Sequence, residues 1–290
     1  MSATAPAGRR GVRLRGRLGG RVSVAGLIGA AIVGGWILVA IAAPLLAPHG
    51  EAAIVSDTVF GPMSRHFPLG TDYLGRDVLS LILYGARYTI GLALAATLLA
   101  AGCGIVLGTA AAASGGVLDG ALSRAMDTLI SLPGLMFALV MVAALGSSVP
   151  VLIGTAALIY MPGAFRIARA LAVDINAMEF VLVARARGER LPAIMFEEIL
   201  PNMVLPVLTD FGLRFVFIVL LLSSLSFLGL GIQPPAADWG SLVRENIEGL
   251  GYGAPAVIMP AVAIATLTIG VNLLIDGFAG RGHRGAGDGR

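Results

Sequence analysis

Five stretches of this chain lack Asp, Glu, Lys and Arg over lengths that are unusual for a soluble protein. They cover residues 22–50, 88–118, 128–165, 215–237 and 249–275. Each is longer than the ~20 apolar residues that carry a helix across a ~30 Å hydrocarbon core. A chain that is 57% hydrophobic and only 13% charged also has too little polar surface for a soluble monomer. The sequence therefore predicts an integral membrane protein.

The third stretch is too long for a single span. At ~1.5 Å per residue its helix would reach about 57 Å, nearly twice the thickness of the hydrocarbon core. The sequence GSSVP at Gly146–Pro150 predicts a turn near its middle. We therefore predict an all-α integral membrane fold with six transmembrane helices, and no internal repeat or soluble domain is indicated.

The arginines predict the orientation of the chain, because all twenty basic residues are arginine. With six spans, both termini and the connections after spans two and four share one side, and fifteen arginines lie there. Four lie on the other side, and Arg214 falls inside span five. The positive-inside rule then places both termini in the cytoplasm. The arginine excess indicates topology rather than binding to nucleic acid.

The predicted segments follow from these spans. They are a basic cytoplasmic tail (1–22), a first transmembrane anchor (23–47), an external segment (48–87), a five-helix core (88–278) with a cytoplasmic loop (167–203), and a cytoplasmic tail (279–290). We expect the first span to be an uncleaved anchor, because its apolar stretch exceeds the ~7–15 residues of a signal-peptide core. The sequence over residues 67–91 favours a helix at the external membrane surface.

Glu179–Asn202 concentrates charge between two apolar spans. Phe180, Val183, Ala184 and Arg187 would share one helical face that ends at Gly188, a residue suited to a left-handed helix cap. A second short helix is then predicted. Pro192 falls in its first turn, where a missing N–H is tolerated, and apolar positions follow at Ile194, Met195 and Ile199.

A helix, a turn and a helix at the cytoplasmic surface are more than a plain connector requires, so this segment is predicted to dock a cytoplasmic partner. The alternative is that Arg185, Arg187 and Arg190 only contact anionic lipid headgroups and enforce the topology.

Ala184, Gly188, Leu200 and Pro201 fall where the cytoplasmic signature loop of ABC importer permeases has them. Two further stretches, His66–Arg87 and Leu225–Leu242, resemble the dipeptide, oligopeptide and nickel branch of that family, and in particular the second, C-type permease of its pair. The resemblance extends over roughly residues 23–278. It implies the type I ABC importer permease fold.

The resemblance also implies partners and a location. In that family a homologous second permease completes the pathway, two ATPase subunits bind ATP and Mg²⁺ and contact the cytoplasmic loops, and a substrate-binding protein delivers the substrate from outside to the bacterial inner membrane. Peptides are the expected substrate, while nickel, glutathione and oligosaccharides remain open. The residues expected to couple to the ATPase are Glu179, Ala184, Arg185, Arg187, Gly188, Glu189, Arg190, Pro192, Leu200 and Pro201.

The chain departs from the family pattern at two places in this loop. Leu182, Val183 and Ala184 stand where Glu-Ala-Ala is usual, and Glu197 and Glu198 replace basic residues that often precede Leu-Pro. Contact with an ATPase is therefore expected, without assigned charge pairs.

No catalytic site is indicated. A phosphate-binding P-loop needs a lysine, and the chain has none, so we expect no bound nucleotide or other cofactor and no enzyme activity. His49, His66 and His283 are too scattered for a metal site, and Cys103 is the single cysteine. The competing functional class is a secondary transporter that works without ATP.

Charged residues within spans are costly and are default functional candidates. Asp210 and Arg214 stand four residues apart in span five, so they can pair, and either the substrate path or the interface with the second permease is predicted for them. Asp127 and Asp276, near cytoplasmic ends of spans, are predicted to be interfacial or paired. Possible contacts with the binding protein are Asp72, Arg76, Asp77, Asp238, Trp239 and Arg244, with a plain solvated rim as the alternative.

Overall fold

A computed structural model describes residues 23–284, and the side chains through Gly277. The predicted tail 1–22 and the last six residues of the tail 279–290 lie outside the described part. Within it the chain is helical, and its β pairing consists of two isolated bridges, Ile54–Arg76 and Thr71–Asp77.

Five of the described helices are long and apolar enough to cross a membrane. They are α1 (Val24–Leu46), α2 (Val78–Ser114), α5 (Val149–Asn176), α8 (Val204–Phe227) and α10 (Pro255–Arg284). Five of the six predicted spans match a single helix each, because the backbone of an uncharged run in lipid can satisfy its hydrogen bonds only within itself.

The third predicted span is instead a broken pair of helices. Helices α3 (Gly116–Ile130) and α4 (Gly134–Leu145) meet at an angle of 85°. The break falls at Ser131–Pro133, where proline disfavours a helical conformation in the residue before it. Helix α4 alone would reach only about 18 Å, so a sixth crossing requires both halves of the pair. The predicted turn at residues 146–150 is confirmed, since α4 ends at Leu145 and α5 begins at Val149.

Helix α2 is longer than predicted. A separate surface helix was expected over residues 67–91, but α2 begins at Val78 and continues without interruption to Ser114. Asp77 caps this helix, because its side chain accepts a hydrogen bond from the backbone N–H of Ser80 at 3.1 Å. The segment 48–87, which was predicted to be external, therefore contains a loop and the first turns of α2.

The connections lie at two ends of the helix bundle. We call residues 177–203, which join α5 to α8, the elbow. It contains α6 (Glu179–Ala186) and a short helical run, α7 (Leu191–Ala193), that continues as a π-helix and a 3₁₀ turn to Asn202. Because α5 extends to Asn176, the first ten residues of the predicted loop 167–203 are helical.

The opposite end carries two longer connections, residues 47–77 and 228–254, which together we call the cap. The second contains α9 (Trp239–Glu245) and a 3₁₀ helix (Ile247–Tyr252). Hydrogen bonds between the two connections, such as Tyr73 N–H to the Asn246 side chain at 3.1 Å, make the cap one unit.

The centre of the bundle is the packing of α2 against α5, which small residues allow to be close. A Cβ at Gly104 would lie 2.5 Å from the Cβ of Ala164 and 2.8 Å from the carbonyl oxygen of Met161. Close backbone approach of this kind holds helices together where lipid removes the hydrophobic driving force between them. Helices α5 and α8, which flank the elbow, both pack in this core.

Candidate functional site

The first half of the elbow is the predicted helix and turn. Helix α6 ends at Ala186, and Gly188 has a φ of +79°, the left-handed conformation that glycine adopts at least cost. The N–H of Glu189 then donates to the carbonyl of Ala184 at 3.2 Å, which satisfies one of the free carbonyls of the helix end. The chain therefore reverses sharply at the position expected from the sequence.

The second half is helical but less regular than predicted. Arg190 precedes the first turn, Pro192 lies within that turn, and Pro201 lies in the first turn of the terminal 3₁₀ segment. Residues Ile194–Ile199 between them form a π-helix. Pro201 has no backbone N–H to donate back along this run, and local rearrangement to a wider helix is a common response to a missing hydrogen bond.

The residues predicted to share one face of α6 are not equally buried. Val181 and Ala184 are fully buried, whereas Phe180 and Val183, assigned to the same face as Ala184, are exposed. The predicted apolar positions of the second half are buried as expected. Together with Met203 they pack against five buried residues of α2 and α5. These are Ala112, Ala113, Ala168, Ala172 and Ile175.

The outward face of the elbow is also apolar, a feature that the sequence prediction missed. Its exposed large hydrophobic side chains are Phe180, Leu182, Val183, Leu191 and Phe196. Charged residues border them, including Arg187 and Glu189, which pair at 2.8 Å. An apolar patch with a charged border is typical of a surface that binds another protein.

Arg185 fastens the elbow to the bundle. Its guanidinium donates to the carbonyl oxygen of Ala113 and to the side-chain oxygen of Asn176, both at 2.7 Å. Ala113 lies in the last turn of α2, where carbonyls lack helical partners and a cation is favoured by the helix dipole. Arg185 therefore has partners within the chain, but it is exposed, as Arg187 and Arg190 are, so headgroup binding stays an alternative for all three.

Two ion pairs tie α3 to α5 near the elbow. Arg169 donates to both carboxylate oxygens of Asp119, at 2.5 and 2.6 Å. Arg166 donates to Asp127 at 2.5 Å, which confirms that Asp127 is paired. Asp276 is exposed. The Asp119 pair was not predicted, because its partners lie 50 residues apart in the chain.

Asp210 and Arg214 form the intramembrane pair predicted from their spacing. Arg214 donates through Nε and Nη2 to the two carboxylate oxygens of Asp210, at 2.5 and 2.8 Å. Its Nη1 donates to the carbonyl of Tyr160 in α5 at 2.7 Å. The side chains are 8% and 14% exposed for Arg214 and Asp210. Their partners lie within this chain, and the assignment to a substrate path or a subunit interface stays a prediction.

A groove of about 820 Å³ lies between α1, α2, α8 and α10. Its lining is apolar apart from Arg87 and Thr209. Asp210 and Arg214 are absent from this lining because they face α5 on another side of α8.

Most of the residues predicted to contact a binding protein are buried in the cap, so that prediction is wrong for them. Asp72, Arg76, Asp77, Asp238 and Trp239 are at most 7% exposed, and Arg244 alone of the six is exposed. They are engaged in holding the cap together rather than in forming a rim. For Arg244 the contact stays a prediction.

An arginine at the centre of the cap links its two connections. Arg76 donates to Asp72 at 2.6 Å within one connection and to Glu245 at 3.0 Å in the other. Asp72 also accepts from the backbone N–H groups of Leu74 and Arg76, at 2.9 and 2.7 Å. A charge-assisted network of this kind fixes the geometry of a loop more firmly than single contacts do.

Trp239 and Asp238 join the cap to the spans. The Trp239 indole donates to the carbonyl of Ile82 in α2 at 3.0 Å, and its ring packs edge-on against Trp36 of α1. Asp238 caps α9 by accepting from the N–H of Ser241 at 2.9 Å. Burial raises the pKa of the Asp238 carboxyl, against the lowering effect of its hydrogen bonds from Ser226 and backbone N–H groups.

Two further polar residues of the cap lie near α2. Burial raises the pKa of the Glu51 carboxyl. His49 lies 3.4 Å from the carboxylate of Asp77 and against the ring of Phe67, so it belongs to the cap and has a protein partner. Within the described residues no cluster of three potential metal ligands is found.

The comparisons with known proteins agree with this architecture. The family model of the binding-protein-dependent transport system inner membrane component matches residues 104–282, from α2 to α10. The chain belongs to this family. The expected resemblance to ABC importer permeases is thereby confirmed.

Several permeases of known systems are similar to this chain over most of its length. The dipeptide transport system permease protein DppC of Alkalihalophilus pseudofirmus is 32% identical over 252 residues, 87% of this chain and 83% of that protein. The peptide transport system permease protein SapC of Escherichia coli is 35% identical over 265 residues, 89% and 86% of the two chains. The glutathione transport system permease protein GsiD of Pectobacterium atrosepticum is 33% identical over 217 residues, 75% and 72%.

Proposed function

We propose that this chain is the second, C-type permease subunit of an ABC importer for peptides, and that its elbow is the surface on which an ATPase subunit docks. The observation that carries the docking role is the arrangement of the elbow. Its inner face is packed and hydrogen-bonded to α2 and α5, while its outer face presents unpartnered apolar side chains bordered by charge.

This arrangement suits a mechanical link. A force applied to Phe180 or Phe196 on the outer face passes directly to α2 through Arg185 and to α5 and α8 through the chain itself. A packed element moves as a rigid body, so closure of two ATPase subunits would tilt the helices that the elbow joins. A coupling of ~1–3 kcal/mol is enough to shift the balance between inward-open and outward-open states severalfold.

The orientation proposed with this function places the elbow and both termini in the cytoplasm of a bacterial inner membrane, where ATP and Mg²⁺ are bound by the partner ATPase. The cap then faces outward and receives the substrate-binding protein. Exposed apolar side chains of the cap, including Leu250 and Tyr252, together with Arg244, form the surface offered for that contact. A homologous second permease completes the pathway.

Peptides are the proposed substrate because relatives similar over more than four fifths of this chain are named as dipeptide or peptide permeases. Glutathione, itself a small peptide, is named for a further relative. Nickel complexes and oligosaccharides are the alternatives within the architecture.

Site-specific photo-crosslinking tests the docking role. A photoreactive residue is placed at Phe196, which is 53% exposed on the elbow, or at Leu98, which is 57% exposed in the middle of α2. In membranes of the source cell, Phe196 is expected to form adducts with a protein that mass spectrometry identifies by its P-loop, and Leu98 is not. Adducts of Phe196 with lipid alone would refute the docking role.

Transport by the reconstituted assembly tests the function as a whole. We expect uptake of a labelled dipeptide into proteoliposomes to require ATP, both permeases and the binding protein. Ion-driven uptake by this chain alone would instead establish the alternative of a secondary transporter. Competition by unlabelled dipeptide, glutathione or nickel identifies the substrate class.

A further inference from the structure

The elbow lies between α5 and α8, so these two helices are its direct connections to the membrane part of the molecule. We propose that Asp210 and Arg214 form a clamp between α5 and α8 that makes the two helices and the elbow move as one body. This inference deepens the proposed function and rests on it for its consequence in transport. Its structural part, a fixed distance between α5 and α8, is independent of any partner.

The clamp is a three-pronged contact. The guanidinium of Arg214 has three nitrogens, and each has an acceptor, two on Asp210 and the third on the Tyr160 carbonyl of α5. The planar fork of arginine is suited to such simultaneous contacts, and a lysine ammonium cannot reproduce them. Arg214 therefore ties its own helix to the backbone of a neighbour.

The surface of α5 is shaped to receive the guanidinium. A Cβ at Gly163 would lie 2.6 Å from Nη1 of Arg214, so glycine leaves the space that the guanidinium occupies. One turn away, the Tyr160 hydroxyl donates to the carbonyl of Phe217 at 3.2 Å, and the rings of these two residues stack with centroids 6.3 Å apart. Two independent contacts thus join the helices at the same height.

The clamp and the elbow connect α5 and α8 at two separate heights. Tyr160 lies sixteen residues before the end of α5 and Arg214 ten residues after the start of α8. At ~1.5 Å per residue the clamp is about 15–24 Å from the elbow. Two helices that are joined at one end by the elbow and crosslinked near their middles cannot pivot separately, so a shift of the elbow is passed on to the middle of the membrane.

A lining role in the large groove does not account for the pair. The residues of α8 that line the groove recur at helical spacing and include Leu205, Leu208, Gly212 and Phe215. Asp210 and Arg214 belong to a different stripe of the helix, which faces α5. Burying two charges among membrane helices is costly, so such charges usually serve a function. Here that function is to hold α5 and α8 in position.

Distance measurements between spin labels test the clamp directly. The labels are placed at Val149 in α5 and Phe227 in α8, which are each 43% exposed and lie on the far side of the clamp from the elbow, in a Cys103→Ser background. The test variant is Asp210→Asn with Arg214→Met, which removes both charges together and leaves no unpaired ion. The control is Asp127→Asn with Arg166→Met, which removes an ion pair whose side chains are 57% and 56% exposed.

The test variant is expected to broaden the distance distribution and, in the reconstituted importer, to raise the ATP hydrolysed per substrate transported by about fivefold or more. The control is expected to change neither. Arg214→Lys, which keeps the charge, should give an intermediate broadening. It replaces the double variant as the test if the double variant does not fold. An unchanged distribution overturns the clamp whatever happens to transport, and a broadened distribution with normal coupling overturns its role in coupling. Failure of the unmodified importer to use ATP would refute the proposed function and leave the distance result standing.

Discussion

Arg76 is the residue on which the cap most depends. It neutralises Asp72, which is fully buried, and reaches Glu245 in the other connection of the cap. Arg76→Ala would leave two carboxylates without their partner in a region with little water. Breaking a buried pair in this way typically costs about 3–5 kcal/mol. We expect a large fall in the unfolding temperature of the detergent-solubilised protein.

Arg65→Ala is the matched control for this prediction, because Arg65 lies in the same connection of the cap but is exposed. A surface substitution of this kind is expected to change stability by less than about 0.5 kcal/mol. Equal unfolding temperatures for Arg76→Ala and the unmodified protein would show that the network contributes nothing to the fold.

At the scale of elements, the contact between α2 and α5 depends on residues without side chains. Gly104→Ile would force its Cβ against Ala164 and the backbone of α5, and because backbone cannot give way we expect a cost above the ~1–3 kcal/mol usual for overpacking. Gly102→Ile is the matched control, since a Cβ at Gly102 meets nothing within 4 Å. Western blots of membrane fractions should show loss of the first variant and normal amounts of the second. Normal amounts of both would contradict the packing argument.

The spans and the reversal at Gly188 could be predicted from sequence because both depend on local properties. An uncharged apolar run must become a helix in lipid, and a glycine after a short helix readily takes the left-handed conformation. The orientation of α6 could not be predicted in this way. Both of its faces carry apolar residues, Val181 with Ala184 on one and Phe180 with Val183 on another, so periodicity alone does not say which face is buried.

The cap was misjudged for a different reason. Arg76 was expected to contact a binding protein or to lie on a solvated rim, but it pairs with Glu245 across 169 residues of chain. Nothing local to either residue reveals such a pair. The Asp210–Arg214 pair could be predicted because its two residues share a helical face. The contact with the carbonyl of Tyr160 could not, because Tyr160 lies 54 residues from Arg214 in the chain.

At the scale of the whole molecule, the proposed function depends on the orientation of the chain in the membrane. ATP is available on the cytoplasmic side, so the elbow can dock an ATPase only if it faces the cytoplasm. The concentration of arginine on the elbow side favours this orientation. The cap and the elbow end can be distinguished chemically, because each has an exposed position away from the proposed docking face: Val59 in the cap and Val117 at the start of α3.

Single cysteines at Val59 or Val117 in a Cys103→Ser background report the orientation through a maleimide that does not cross membranes. With intact spheroplasts we expect labelling of Val59→Cys and not of Val117→Cys, and labelling of both after permeabilisation, since Val59 and Val117 are 55% and 90% exposed. The opposite pattern would place the elbow outside, out of reach of ATP. In that case no ATPase could act on it, and the arginine excess would have to be explained without the positive-inside rule.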